Sequence, residues 1–114
     1  MLKDKINDFG VPLDRNGYAP SIVPWPDNSC IICNRMDMPL QRHEVFHGPF
    51  RDKSKALGCW VYICPECHMR LHQRDGRLDR KLKQTVQLEA QWRYKWNVQQ
   101  FREHFGKNYL EAEK

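Results

Sequence analysis

Cys64-Pro65-Glu66-Cys67-His68-Met69-Arg70-Leu71-His72 joins two metal-ligand spacings in nine residues. A C-x2-C knuckle runs directly into an H-x3-H pair. Upstream stand a second knuckle, Cys30-x2-Cys33, and the pair His43-Glu44. Two C-x2-C turns supply four thiolates, the donor set of a closed tetrahedral zinc site. Residues 34–63 lie between the knuckles, room enough for a hairpin with the zinc at its base. Cys30, Cys33, Cys64 and Cys67 are therefore the candidate structural zinc ligands.

The histidines then need their own account. His68 and His72 are four apart, so on a helix they face the same way, one turn apart. Two imidazoles so placed can grip one divalent ion, with His43 on a preceding strand as a third ligand. Three protein ligands leave open positions for water and a phosphate oxygen, as catalysis requires. Two other readings stand beside this one. His68 or His72 can instead join the cysteines in a mixed zinc site, or the histidines can be exposed polar residues on a helix face.

The bulk properties set outer bounds. The chain has 114 residues, the size of one domain, with 40% hydrophobic and 29% charged residues. That composition is globular rather than disordered. It contains no apolar run of transmembrane length, and residues 1–10 are polar and mixed in charge, unlike a secretory signal. The formal charge of +5 leans toward an anionic partner such as nucleic acid. An odd count of five cysteines, paired as knuckles, points to metal binding in a reducing compartment, hence the cytoplasm. Cys59 is the thiol left over, expected to be buried and without chemistry.

Local signals divide the chain into an extended N-terminal arm (1–28), a zinc-stabilised core (29–78) and a C-terminal helical extension (79–114). Pro12, Pro20, Pro24 and Pro26, with Gly10 and Gly17, exclude regular structure from the arm, which Val23 and Trp25 would pin to the body. Residues 40–47 predict a strand, residues 48–58 a basic loop, and Trp60-Val61-Tyr62-Ile63 a second strand. Pro65 suits the first turn of a helix carrying His68 and His72. A longer helix follows over about residues 79–95, with Leu78, Leu82, Leu88, Trp92 and Trp96 as the core stripe and Val86 at its margin. Asn97 and Gln100 form a capping-box pattern, and Gly106 suits the end of the short helix they open.

On these residues the chain resembles the HNH, or ββα-metal, endonucleases. His43-Glu44-Val45 is similar to that family's Asp/His-His-Ile, and Cys64-Pro65-Glu66-Cys67-His68 with His72 to its C-x2-C-H…H ending. Within the family it resembles small phage and prophage recombination nucleases of the Ref-like group. Their loop carries Gly, Arg, Ser and Gly at the spacing of Gly48, Arg51, Ser54 and Gly58, and their tail is similar to Phe105-Gly106-Lys107-Asn108-Tyr109-Leu110. The resemblance covers about residues 28–110 and leaves the arm outside.

The resemblance implies an α+β fold: a ββα-metal core with four-cysteine zinc knuckles and additional C-terminal helices. It implies DNA phosphodiester hydrolysis assisted by one Mg²⁺ or Mn²⁺ held by His43, His68 and His72, in a host cytoplasm if phage-encoded. Two departures matter. The Asn that the family carries shortly before its second knuckle falls at Cys59, and the general-base position is Glu44 rather than His. A carboxylate with an ordinary pKa of about 4.3 is a weak base at neutral pH. Glu44 would serve as base or as a further metal ligand, or His47 would serve as base.

Arg51, Lys53 and Lys55 in the loop, with Arg70 and Arg74 on or just after the helix carrying His68 and His72, are the candidate backbone-phosphate contacts. They imply DNA, and RNA as a lesser alternative; no membrane partner is expected, and the oligomeric state is open. The rival to an enzyme is a non-catalytic zinc-binding module that contacts nucleic acid or protein through a degenerate HNH site.

Overall fold

The computed structural model describes residues 5–73 and 76–110, so Arg74 lies outside the described residues. Strand β1 (Gln41–Glu44) pairs antiparallel with β2 (Trp60–Ile63), with His43 opposite Val61 and Glu44 opposite Trp60. β2 falls where its β-branched and aromatic run predicts. β1 is shorter than residues 40–47. Past Glu44 the Val45 amide still donates to the Cys59 carbonyl at 3.0 Å, but Val45 and Phe46 are both buried and the chain bends inward. His47 follows that bend and is not part of the strand.

Residues 48–58 are not a loop. A 3₁₀ turn, Gly48–Phe50, runs into helix α1 (Arg51–Ala56). Arg-Asp-Lys-Ser-Lys-Ala contains no Gly, Pro or β-branched residue, and Asp52 in its first turn suits the helix dipole. Ser54 is fully buried there. Its hydroxyl donates to the Cys59 carbonyl at 2.6 Å and accepts the Phe46 amide at 3.2 Å, tying α1 to both strand ends.

Helix α2 (Pro65–His72) starts as expected, with Cys64 as its N-cap and Pro65 in its first turn. The long helix α3 (Gly76–Tyr94) touches both α2 and α4 (Val98–Phe105). Its expected stripe is corrected by rotation. Leu88 and Trp92 are 55% and 79% exposed, whereas Leu82, Val86, Gln87 and Ala90 are buried. Gln87 decides this. Its amide nitrogen donates to Asn108 Oδ1 and Gln91 Oε1, and its Oε1 accepts the Tyr109 amide, all at 2.8 Å. A polar residue so fully bonded can sit inside, while the larger apolar count lies on the outer face. α4 is capped as the sequence indicates: Asn97 and Gln100 bond reciprocally and Gly106 ends the helix in a left-handed conformation.

The core is continuous from Ile22 and Val23 in the arm, through Val45, Phe46, Val61 and Ile63, to Phe101 and Phe105. Phe46 sits at its centre, 4.6 Å from Phe105 and 5.3 Å from Phe101 between ring centroids. The described part of the arm lies along α1 and β2. The Ala19 and Ile22 amides donate to the Lys55 and Gly58 carbonyls at 3.0 Å, and Trp60 Nε1 donates to the Ala19 carbonyl at 2.7 Å. Val23 is buried as expected; Trp25 is 40% exposed, and its Nε1 donates to the Ser29 hydroxyl at 3.1 Å. At Gly58, φ is +75° and an added Cβ would stand 2.4 Å from the Pro20 carbonyl oxygen, so only glycine admits the arm there.

The fold is therefore a small α+β arrangement, a two-stranded antiparallel pair with α1 in its connection, followed by three helices among the described residues. No helix among the described residues is long and apolar enough to cross a membrane.

Candidate functional site

The two knuckles meet at one end of the hairpin. The first is a tight turn in which the Asn34 amide returns to the Cys30 carbonyl at 2.8 Å and the Ile31 amide donates to the Tyr62 carbonyl on β2 at 3.1 Å. The second spans the end of β2 and the first turn of α2. All four Sγ atoms lie within 4.8 Å of one another, with Cys33 and Cys64 at 3.7 Å. Tetrahedral zinc with Zn–S bonds of about 2.3 Å needs sulfurs about 3.8 Å apart, so the cluster is compatible with a structural zinc. Burial opposes ionisation of Cys30, yet hydrogen bonds from the Cys33, Cys64 and Ile32 backbone bring its thiol down to about 7. Neither His68 nor His72 belongs to the thiol group. Cys59 is fully buried and stands outside it, its thiol pushed up by burial.

A second cluster lies where β1 faces α2. The ring centroids of His43 and His68 are 5.2 Å apart, those of His68 and His72 4.7 Å, and those of His43 and His72 6.5 Å. The imidazoles are more open than the thiols: among the described residues only the cysteines gather their ligand atoms within 4.8 Å. His43 is 5% exposed, and its Nε2 is buried with no hydrogen-bond partner. Burial, reinforced by the neighbouring His68 and His47, lowers its pKa to about 4. Burial and then His72 also lower that of His68. Both rings are thus neutral at pH 7, the protonation state of a metal ligand. Gln41 Oε1 lies 2.7 Å from His68 Nδ1 and orients that ring.

The histidines open on a cleft of about 590 Å³ that also takes in Tyr18, Glu44, His47 and Arg51. Glu44 is held on both oxygens. Oε2 accepts the Tyr18 hydroxyl at 2.6 Å and Oε1 accepts Arg51 Nε at 2.8 Å. Partial burial works to raise its pKa, but those two hydrogen bonds prevail and keep it below the usual carboxylate range. Tyr18 is raised to about 12 by burial and by Glu44.

The expected phosphate contacts are spread over the surface. Arg51 lines the cleft, and Lys55 lies 4.7 Å over the Tyr18 ring. Lys53 is exposed on α1, near His104, whose pKa is lowered first by burial and then by Lys53. Arg70 is exposed on α2. Two cleft residues escaped sequence reasoning, Tyr18 and Arg42. The turn before Tyr18 was legible, since Asp14-Arg15-Asn16-Gly17 is rich in turn formers. Asp14 Oδ1 indeed accepts the Asn16 and Tyr18 amides. The partner that Tyr18 reaches, 26 residues away, had no local signal.

No protein-family model, curated protein or solved structure matches the chain. The four-cysteine cluster and the cleft therefore rest on this chain's own geometry.

Proposed function

We propose that the chain is a zinc-stabilised endonuclease of the HNH type that hydrolyses DNA phosphodiester bonds, in phage or prophage DNA processing or recombination. The observation that carries the reading is the buried, unpartnered Nε2 of His43 in a cleft shared with His68 and His72, beside a separate four-thiol cluster. A buried imidazole nitrogen without a partner is costly unless something binds it. The antiparallel pair β1–β2, joined through α1 and leading into α2, with histidines on β1 and α2, also supports it.

His43, His68 and His72 would hold the divalent ion, and the four cysteines the structural zinc. Bound Mg²⁺ or Mn²⁺ would stabilise charge on the scissile phosphate and the leaving oxygen. Arg51 binds the substrate backbone. Of the two candidate bases His47 is favoured, because both Glu44 oxygens are engaged and its affinity for a proton is reduced. Plasmid nicking with Mg²⁺ or Mn²⁺ tests the assignment. His47→Ala should lower nicking by about 10²–10⁴-fold; unimpaired nicking in that variant would remove His47 from the role.

The same locked carboxylate favours a second reading, a non-catalytic zinc-binding module that contacts nucleic acid or protein. Absence of nicking on single-stranded, duplex and RNA substrates, with one tight zinc and no exchangeable ion, is its signature.

A further inference from the structure

We propose that Tyr18 and Glu44 are positioning residues that fix the Arg51 guanidinium for a phosphate, which makes the N-terminal arm a part of the substrate cleft. The inference rests on the reading of that cleft as a phosphodiester site.

The two partners are unequally exposed. The Glu44 side chain is 12% exposed and that of Arg51 63%. A nearly buried carboxylate thus anchors an arginine whose far end is in solvent. Arg51 donates through Nε, so the terminal Nη groups are the part of the fork left for an incoming oxygen. A guanidinium held at Nε by a carboxylate loses little further freedom when it meets a phosphate.

Tyr18 completes the clamp. Its hydroxyl takes the second Glu44 oxygen, so the carboxylate has one orientation rather than two. The ring is held from several sides. Arg42 lies 4.4 Å and Lys55 4.7 Å from its centroid, and Trp60 meets it edge-on at 5.5 Å. Asp14 binds the Tyr18 amide from below in the turn and pairs with Arg42 at 2.9 Å. Arg42 pairs with Asp14 and Arg51 with Glu44, while Lys55 lies over the Tyr18 ring, so the cluster holds one cation more than carboxylates for an anionic ligand. A staple that served only to attach the arm would have no need of Arg51 on the other oxygen.

The test uses the full zinc-loaded chain and a fluorescein-labelled DNA duplex, with anisotropy read at fixed low salt and no added divalent ion. Tyr18→Phe keeps the ring between its cations and removes only the hydroxyl. It should weaken binding by about threefold or more, and Arg51→Lys by about tenfold. The double variant should bind no more weakly than Arg51→Lys alone, because Tyr18 acts through Arg51. The Arg51 Nε–H resonance, protected by Glu44, should shift or broaden in both Tyr18→Phe and Glu44→Gln. Additive losses in the double variant, unchanged affinity in Tyr18→Phe, or no DNA binding by the wild-type chain would each overturn the proposal. Non-additive binding without plasmid nicking in Mg²⁺ or Mn²⁺ would uphold the clamp and defeat only the enzyme reading.

Discussion

Gly58→Ala tests how firmly the arm is built into the molecule. Gly58 and Gly10 share almost the same backbone, φ +75° and +78°. Alanine costs about 1–2 kcal/mol at either position from that conformation alone. Their surroundings differ. At Gly10 an added Cβ meets nothing within 4 Å, while at Gly58 it meets the Pro20 carbonyl oxygen at 2.4 Å and the Ile22 amide nitrogen at 3.2 Å. Backbone atoms cannot swing aside as a flexible side chain does, so the arm has to lift. Lifting it breaks the 3.0 Å bond from the Ile22 amide to the Gly58 carbonyl, a loss of about 1 kcal/mol. It also uncovers part of Ile22 and Val23, each worth about 1.5–3 kcal/mol when fully buried. Gly58→Ala should therefore cost about 2 kcal/mol or more beyond Gly10→Ala. Urea unfolding of the zinc-loaded protein, followed by circular dichroism, reads the difference. Equal losses in the two variants would refute the docking of the arm at Gly58. Because Tyr18 precedes Pro20 by two residues, Gly58→Ala should also weaken DNA binding.

Gln87→Leu takes the Gln87 bonds from the half-buried Tyr109 amide and from Asn108, which keeps the Leu110 amide; urea unfolding should show a loss of about 1–2 kcal/mol. Elemental analysis should find one zinc per chain, lost with cooperative unfolding in Cys64→Ala and retained in Cys59→Ala, since Cys59 stands outside the thiol cluster. Tyr94 donates its hydroxyl to the Leu57 carbonyl at 2.6 Å, and burial raises its pKa from 10.0 to about 12. The unfolded chain gives up that proton first, so stability should fall as pH rises from 10 to 12. Tyr18 contributes in the same window, so Tyr94→Phe should make this fall shallower in denaturation midpoints, and Tyr94→Phe with Tyr18→Phe shallower still.

What the sequence discloses is what neighbouring residues settle among themselves. β2, the Pro65 start of α2 and the Asn97–Gly106 frame of α4 depend on local backbone preferences, and each stands where those preferences indicate. The knuckles were legible for the same reason: fixed cysteine spacing leaves few ways to bend the chain. α1 was hidden because Gly48-Pro49 and Gly58 bracket it like a loop, while its purpose, burying Ser54 against Cys59, is tertiary. The face of α3 was misjudged because apolar count favours Leu88 and Trp92, whereas Gln87 is drawn inside by Asn108 and Tyr109. Of the candidate site, the histidines could be named but the state of Glu44 could not, since it depends on Tyr18 and Arg51 from other segments.

The proposed function requires a second metal site, separate from the thiols and made by His43, His68 and His72. Equilibrium dialysis of the one-zinc protein against Mn²⁺ tests it most directly. One additional, exchangeable Mn²⁺ per chain is expected in the wild type and none in His68→Ala, with the zinc retained in both. Failure of the one-zinc wild-type protein to take up Mn²⁺, or equal uptake by His68→Ala, would contradict it.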